Sequence, residues 1–78
     1  MPTLAIELTA EDLAHIEDLA RQCTASHEAS AGANTHGPLT PEDLVRLLAE
    51  DAALLARRPG SWEAENMRQV LESHGYSI

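Results

Sequence analysis

The chain opens on an alternation. Leu4, Ile6 and Leu8 take every second position, with Thr3, Ala5 and Glu7 between them. A repeat of two is the pattern of a strand with one buried face, so residues 3–8 are expected to form a short β-strand. From residue 10 the spacing changes. Leu13, Ile16, Leu19, Ala20 and Cys23 recur every three or four positions, which predicts a helix over residues 10–26 with Glu11, Asp12, Glu17, Asp18 and Arg21 turned outward. Thr9 stands where a helix needs an acceptor for its first free amides, and two acids follow it at the positive end of the dipole.

Residues 27–39 break the pattern with small residues, two glycines and a proline, and predict one long mobile loop whose shortening leaves folding intact. Helix restarts at Thr40, with Pro41 in the first helical position and Glu42 and Asp43 behind it, and runs over residues 41–57. Its apolar residues, Leu44, Val45, Leu47, Leu48, Ala49 and then Ala52 to Ala56, occupy more than one face, so this helix is expected to be the most buried. Arg57 and Arg58 suit its negative end, and Pro59 and Gly60 stop it. Ser61 caps a last helix, residues 61–74, whose apolar side is Trp62, Ala64, Met67, Val70, Leu71 and His74, closed by Gly75.

A lone strand leaves its backbone donors and acceptors unpaired, and nothing else in the chain reads as a strand. The expected partner is the same strand of a second copy. The predicted fold is therefore mainly helical with one N-terminal strand, in the order strand-helix-helix-helix, paired across a homodimer. Leu4, Ile6, Leu8, Leu44 and Leu48 would form the interface, and Thr3, Ala5 and Glu7 the outward strand face. The alternative is a monomeric three-helix bundle with a loose N-terminal arm.

This order, carried by Leu4, Ile6, Leu8, Thr9 and Leu13, then Ile16 to Ala20 and Leu44 to Leu48, resembles the ribbon-helix-helix superfamily of the Arc and MetJ type over residues 3–56. The resemblance implies antiparallel strands paired across a two-fold axis, outward strand side chains entering the DNA major groove, and a phosphate at the start of the second helix. This chain departs from that pattern where DNA would be read. Ala5 offers only a methyl group, Glu7 repels the backbone, Pro41 removes an amide donor, Glu42 and Asp43 put carboxylates where phosphate would sit, and the loop between the helices is long.

Composition sharpens this. Among 78 residues, thirteen acids face five bases, all arginine, for a net charge of −8. Such a field repels nucleic acid, keeps a small protein in solution, and offers an acidic face to a basic protein partner. The hydrophobic fraction is 44% but rich in alanine, with one Trp, one Tyr and no Phe, so the single small domain has a modest core that self-association would reinforce. One cysteine, no basic leader followed by an apolar run and no span of membrane length point to the cytoplasm.

Candidate chemistry is sparse. Cys23, His27 and His36 are the residues with metal-ligand character, but without a second cysteine or a tight ligand pair they read as a core thiol and two solvated imidazoles. Asp12, His15 and Asp18 sit at helical spacing and read as surface charge pairs without a nucleophile nearby. No phosphate loop or other cofactor motif occurs, so neither a cofactor nor enzymatic activity is expected. Trp62 follows Arg57 and Arg58, the one basic cluster; tryptophan beside arginine is the composition of binding hot spots, and the competing reading has the indole sealing the end of the second helix.

Three functions fit. The first is a homodimeric adaptor of antitoxin or inhibitor type that binds a further protein through Arg57, Arg58 and Trp62. The second is a DNA-binding repressor, and the third an inhibitor whose carboxylates imitate DNA.

Overall fold

A computed structural model describes residues 1–32 and 36–78. Three helices follow one another: α1 (Ala10–Ala29), α2 (Pro41–Arg57) and α3 (Trp62–Ser73). The described residues contain no β-strand. The expected strand at residues 3–8 is therefore corrected, and with it the strand-helix-helix-helix order paired across a dimer; the all-helical alternative has the right element content. Leu4, Ile6 and Leu8 stand 86%, 56% and 44% exposed, and Thr3, Ala5 and Glu7 are exposed as well, so the alternation separates no inner face from an outer one. The physical reason is the one that made a lone strand costly. Without a ladder to satisfy its amides and carbonyls, the segment leaves them to water.

The chain divides into two compact units, Met1–Leu44 and Val45–Ile78. In the first, Thr9 begins α1 by accepting the amide of Asp12 on its hydroxyl at 3.0 Å. The helix runs past residue 26 to Ala29 because a complete C-terminal motif closes it there. The amide of Ala31 donates to the carbonyl of Glu28 at 3.3 Å and that of Gly32 to His27 at 3.0 Å, the crossed pair of a Schellman motif. Ala31 takes the left-handed position at φ 56°, where glycine is usual. The covered face of α1 is Ile16, Ala20, Cys23, Thr24 and His27; Leu13 and Leu19, expected in its apolar stripe, are 44% and 45% exposed. The first turn of α2 closes the unit with a reciprocal box. The Thr40 hydroxyl accepts the Asp43 amide at 3.1 Å, and the Asp43 carboxylate accepts the Thr40 amide at 3.2 Å. Ala20 and Leu44 are the buried residues here.

The connection between α1 and α2 is more fixed than its composition implies. The Thr24 hydroxyl accepts the Leu39 amide at 3.0 Å and donates to the Leu39 carbonyl at 3.3 Å. The His27 ring lies 3.6 Å from where a β-carbon would stand on Gly32, and equally on Gly37. Both ends of the connection are thus held against α1. The expected loop over residues 27–39 changes at its ends, with residues 27–29 in α1 and Leu39 tied to Thr24, while its part at Ala33, Asn34 and Thr35 lies outside the described residues.

In the second unit, the rest of α2 and all of α3 join through a tight turn. Ser61 donates its amide to the Arg58 carbonyl at 3.1 Å across Pro59 and Gly60, and Gly60 has φ 97°. Proline at the second place and a positive φ at the third define a type II turn. Ser61 then caps α3 by accepting the Ala64 amide at 3.2 Å. Ala64 is fully buried, with Met67 and Leu71 half-buried on the same face. Each helix has one buried residue, and α2 adds the half-buried Val45, Leu47, Leu54 and Leu55, so it has the largest covered share as expected, although Leu48, Ala49, Ala52, Ala53 and Ala56 are all exposed. Alanine suits an exposed helix surface by propensity, so an alanine-rich face need not be an inner one.

The ends of α1 and α3 carry a matched prediction. At α3, Gly75 has φ 93°, its amide meets the Glu72 carbonyl at 2.9 Å, and the Tyr76 amide meets Leu71 at 3.1 Å, the same crossed pair as at Ala31 and Gly32. A β-carbon in that conformation costs about 1–2 kcal/mol, offset in part by the greater freedom of glycine in the unfolded chain. Ala31→Gly is expected to raise stability by about 0.5–1 kcal/mol, and Gly75→Ala to lower it by about 1 kcal/mol, in urea titrations of each variant. Equal signs at the two sites would show that the motifs are not equivalent.

Candidate functional site

The α2–α3 corner brings together exposed residues with binding character. Arg57 ends α2, Arg58 begins the type II turn, and Trp62 is the first residue of α3. All three lie in the second unit and all are exposed, Trp62 at 67%. The reading in which the indole seals the end of α2 is therefore excluded. Proline, the positive-φ glycine and the Ser61 cap fix the backbone beneath them, so the corner is preorganised. Among the described residues, neither guanidinium has a carboxylate partner, in contrast to Arg21, which pairs with Asp18, and Arg68, which meets Glu65 at 3.7 Å and the main-chain oxygen of Ile78 at 2.5 Å.

The sites expected at the N-terminus and on α2 separate. Leu44 is 6% exposed, covered by its own chain, and so is withdrawn from any surface. Leu48, one turn on, is 44% exposed, and Leu4, Ile6 and Leu8 project from the N-terminal arm. These five residues do not share one environment.

A second feature was not expected from the sequence. In the first unit, a groove of about 340 Å³ is lined by Glu17, Ala20, Arg21, Thr24, Ala25 and Glu28 of α1, with Leu39 and Pro41 as its far wall. The α1 residues stand at successive intervals of three, one, three, one and three, which is one face of a helix. Its floor is small and apolar, and acids stand at both ends. Glu17 and Arg21 are expected from the spacing as outward surface, and nothing within α1 itself marks the return of Leu39 and Pro41 to that face. Thr24 is the hinge of the arrangement, because its hydroxyl brings Leu39 up to form the wall.

The weak chemical candidates stay apart. His15 approaches Glu11 at 3.9 Å, one turn back, rather than Asp12 or Asp18. Cys23 is a half-buried free thiol, His27 packs beside the two loop glycines, and His36 is exposed. Among the described residues, no group of three histidines, cysteines or acids is placed to hold a metal ion. None of their helices is long and apolar enough to cross a membrane.

The chain matches no protein-family profile, no curated protein and no solved structure.

Proposed function

We propose that this chain is a small acidic regulatory protein that acts by binding another protein, an adaptor of inhibitor or antitoxin type working as a homodimer in the cytoplasm. The observation that carries the reading is the 67% exposure of Trp62, the chain's one tryptophan, on a rigid corner beside two arginines without carboxylate partners among the described residues. An exposed indole is an unfavourable surface in water. Trp and Arg are also the residues that most often dominate binding energy when an interface desolvates them. The lone thiol agrees with a reducing compartment.

Charge gives the reading its direction. At −8 overall, the molecule favours a partner with a basic surround, while Arg57 and Arg58 supply a local exception that fixes where the partner's acids must fall. The same charge argues against DNA as the ligand.

The test is affinity capture from the native host with the full chain, alongside Trp62→Ala and the double variant Arg57→Ala, Arg58→Ala. All three positions are exposed, so helicity by circular dichroism should be unchanged. Wild type is expected to retain one protein specifically, and Trp62→Ala to weaken that complex by at least about tenfold, or about 1.4 kcal/mol. Capture that is indifferent to both variants would remove the corner from the function. Tight, sequence-selective binding of duplex DNA at moderate salt would replace the reading with that of a repressor.

A further inference from the structure

Two surfaces of this chain are complementary. The groove on α1 has a floor of Ala20 and Ala25, a far wall of Leu39 and Pro41, carboxylates at Glu17 and Glu28, and a guanidinium at Arg21 already engaged by Asp18. Its acids stand eleven residues apart on one helix face, about 16 Å. At about 340 Å³ the groove is at the small end for a substrate pocket, but it suits a single large side chain. The α2–α3 corner supplies such a side chain: Trp62 is exposed, beside the two arginines that have no carboxylate partner among the described residues.

We propose that the corner of one copy docks in the α1 groove of a second copy. Trp62 seats on the alanine floor and stacks on the Arg21 guanidinium, whose charge is already balanced. Arg57 and Arg58 meet Glu17 and Glu28. The inference rests on the corner being a protein-binding surface and names a second copy of the chain as an occupant of it. Local complementarity explains how a molecule of charge −8 would associate with itself, because the contact joins two adjacent arginines to an acid-railed cleft. The half-buried Thr24 hydroxyl makes no demand on the guest, since Leu39 satisfies it in both directions. A contact that masks the corner would also compete with any other protein for it.

The single tryptophan makes the test direct. The full chain is diluted from about millimolar to about micromolar concentration and followed by sedimentation velocity and by tryptophan emission. An increase in mass with concentration, accompanied by a blue shift of the emission, is the expected result, with a midpoint of roughly 10–100 µM. Glu17→Arg with Glu28→Arg in one variant, and Arg57→Glu with Arg58→Glu in another, should each weaken self-association at least about tenfold. Mixed in equal amounts, the two variants should recover both the larger mass and the blue shift. Circular dichroism controls for folding, since all four positions are exposed.

A monomeric mass with unchanged emission at all concentrations overturns the proposal, as does association unaffected by either charge reversal, or a blue shift independent of concentration. If self-association fails while Trp62→Ala still loses a captured protein, the self-docking is wrong and the corner remains a binding surface. If self-association follows the charge variants while Trp62→Ala captures that protein as wild type does, the self-docking stands and the proposed adaptor site is wrong.

Discussion

Leu44→Ala is expected to unfold most of this protein at room temperature, or bring it close to that point. Leu44 is the largest of the three buried residues among those described, at 6% exposure; the other two are alanines. Removing a buried leucine side chain costs about 2–5 kcal/mol, the transfer of the lost carbons plus the cavity left behind. A chain of this length has a total stability on the order of 4–12 kcal/mol, and one with so few covered side chains belongs at the low end. Each kcal/mol moves the midpoint of thermal unfolding by roughly 4–8 °C at this size, so the variant should melt at least about 10 °C below wild type. Leu48→Ala is the control. It lies one turn further along α2 and is 44% exposed, so its truncation should cost less than about 1 kcal/mol. Thermal unfolding followed by circular dichroism decides the matter. Equal losses at both positions would mean that Leu48 is also covered in solution, which is the result self-association through α2 would give.

That contrast shows what the pattern of residues could and could not convey. Leu44 and Leu48 occupy equivalent places in the periodicity of α2 and were read together as interface; only the placement of neighbouring chain separates them. The ends of the helices were more legible, because they depend on local chemistry. Thr9, Thr40 and Ser61 each cap the helix that follows with their hydroxyls, at 3.0, 3.1 and 3.2 Å. Pro59 and Gly60 break the chain with a turn that needs only the residues inside it. The far end of α1 was misplaced by three residues for a local reason too: an alanine rather than a glycine holds the left-handed position, so the Schellman motif had no composition signal.

The misreading at the N-terminus has a different cause. Alternation of large aliphatics is necessary for a half-buried strand but does not supply a neighbour, and strand structure is a property of pairs. Residues 3–8 carry the pattern without a ladder among the described residues. The functional surfaces follow the same division. Trp62 and the arginines stood out because rare residues cluster in sequence, whereas the α1 groove depends on Leu39 and Pro41 returning to an earlier helix face, with Leu39 tied to Thr24 fifteen residues before it. Long-range placement of that kind leaves no mark in local spacing.

In the second unit the corresponding test is to fill rather than to empty. Ala64 has no exposed surface, and it is the residue whose amide Ser61 caps. A small side chain at this place lets the chain pack closely over the start of α3. Ala64→Leu adds three carbons where there is no room, and overpacking of this kind costs about 1–3 kcal/mol through displaced side chains and backbone. Ala56→Leu makes the same chemical change on the exposed side of α2, in the same unit, and should fall within about 0.5 kcal/mol of wild type. Leucine and alanine are both strong helix formers, so propensity does not separate the two substitutions; burial alone does. The expected result in urea titration is a large loss for Ala64→Leu and almost none for Ala56→Leu. Because the type II turn and the Ser61 cap are continuous with Ala64, the former should also change the emission of Trp62, two residues away, before global unfolding. Emission that keeps its wild-type value in a destabilised Ala64→Leu protein would show that the corner holds its shape independently of the packing under α3.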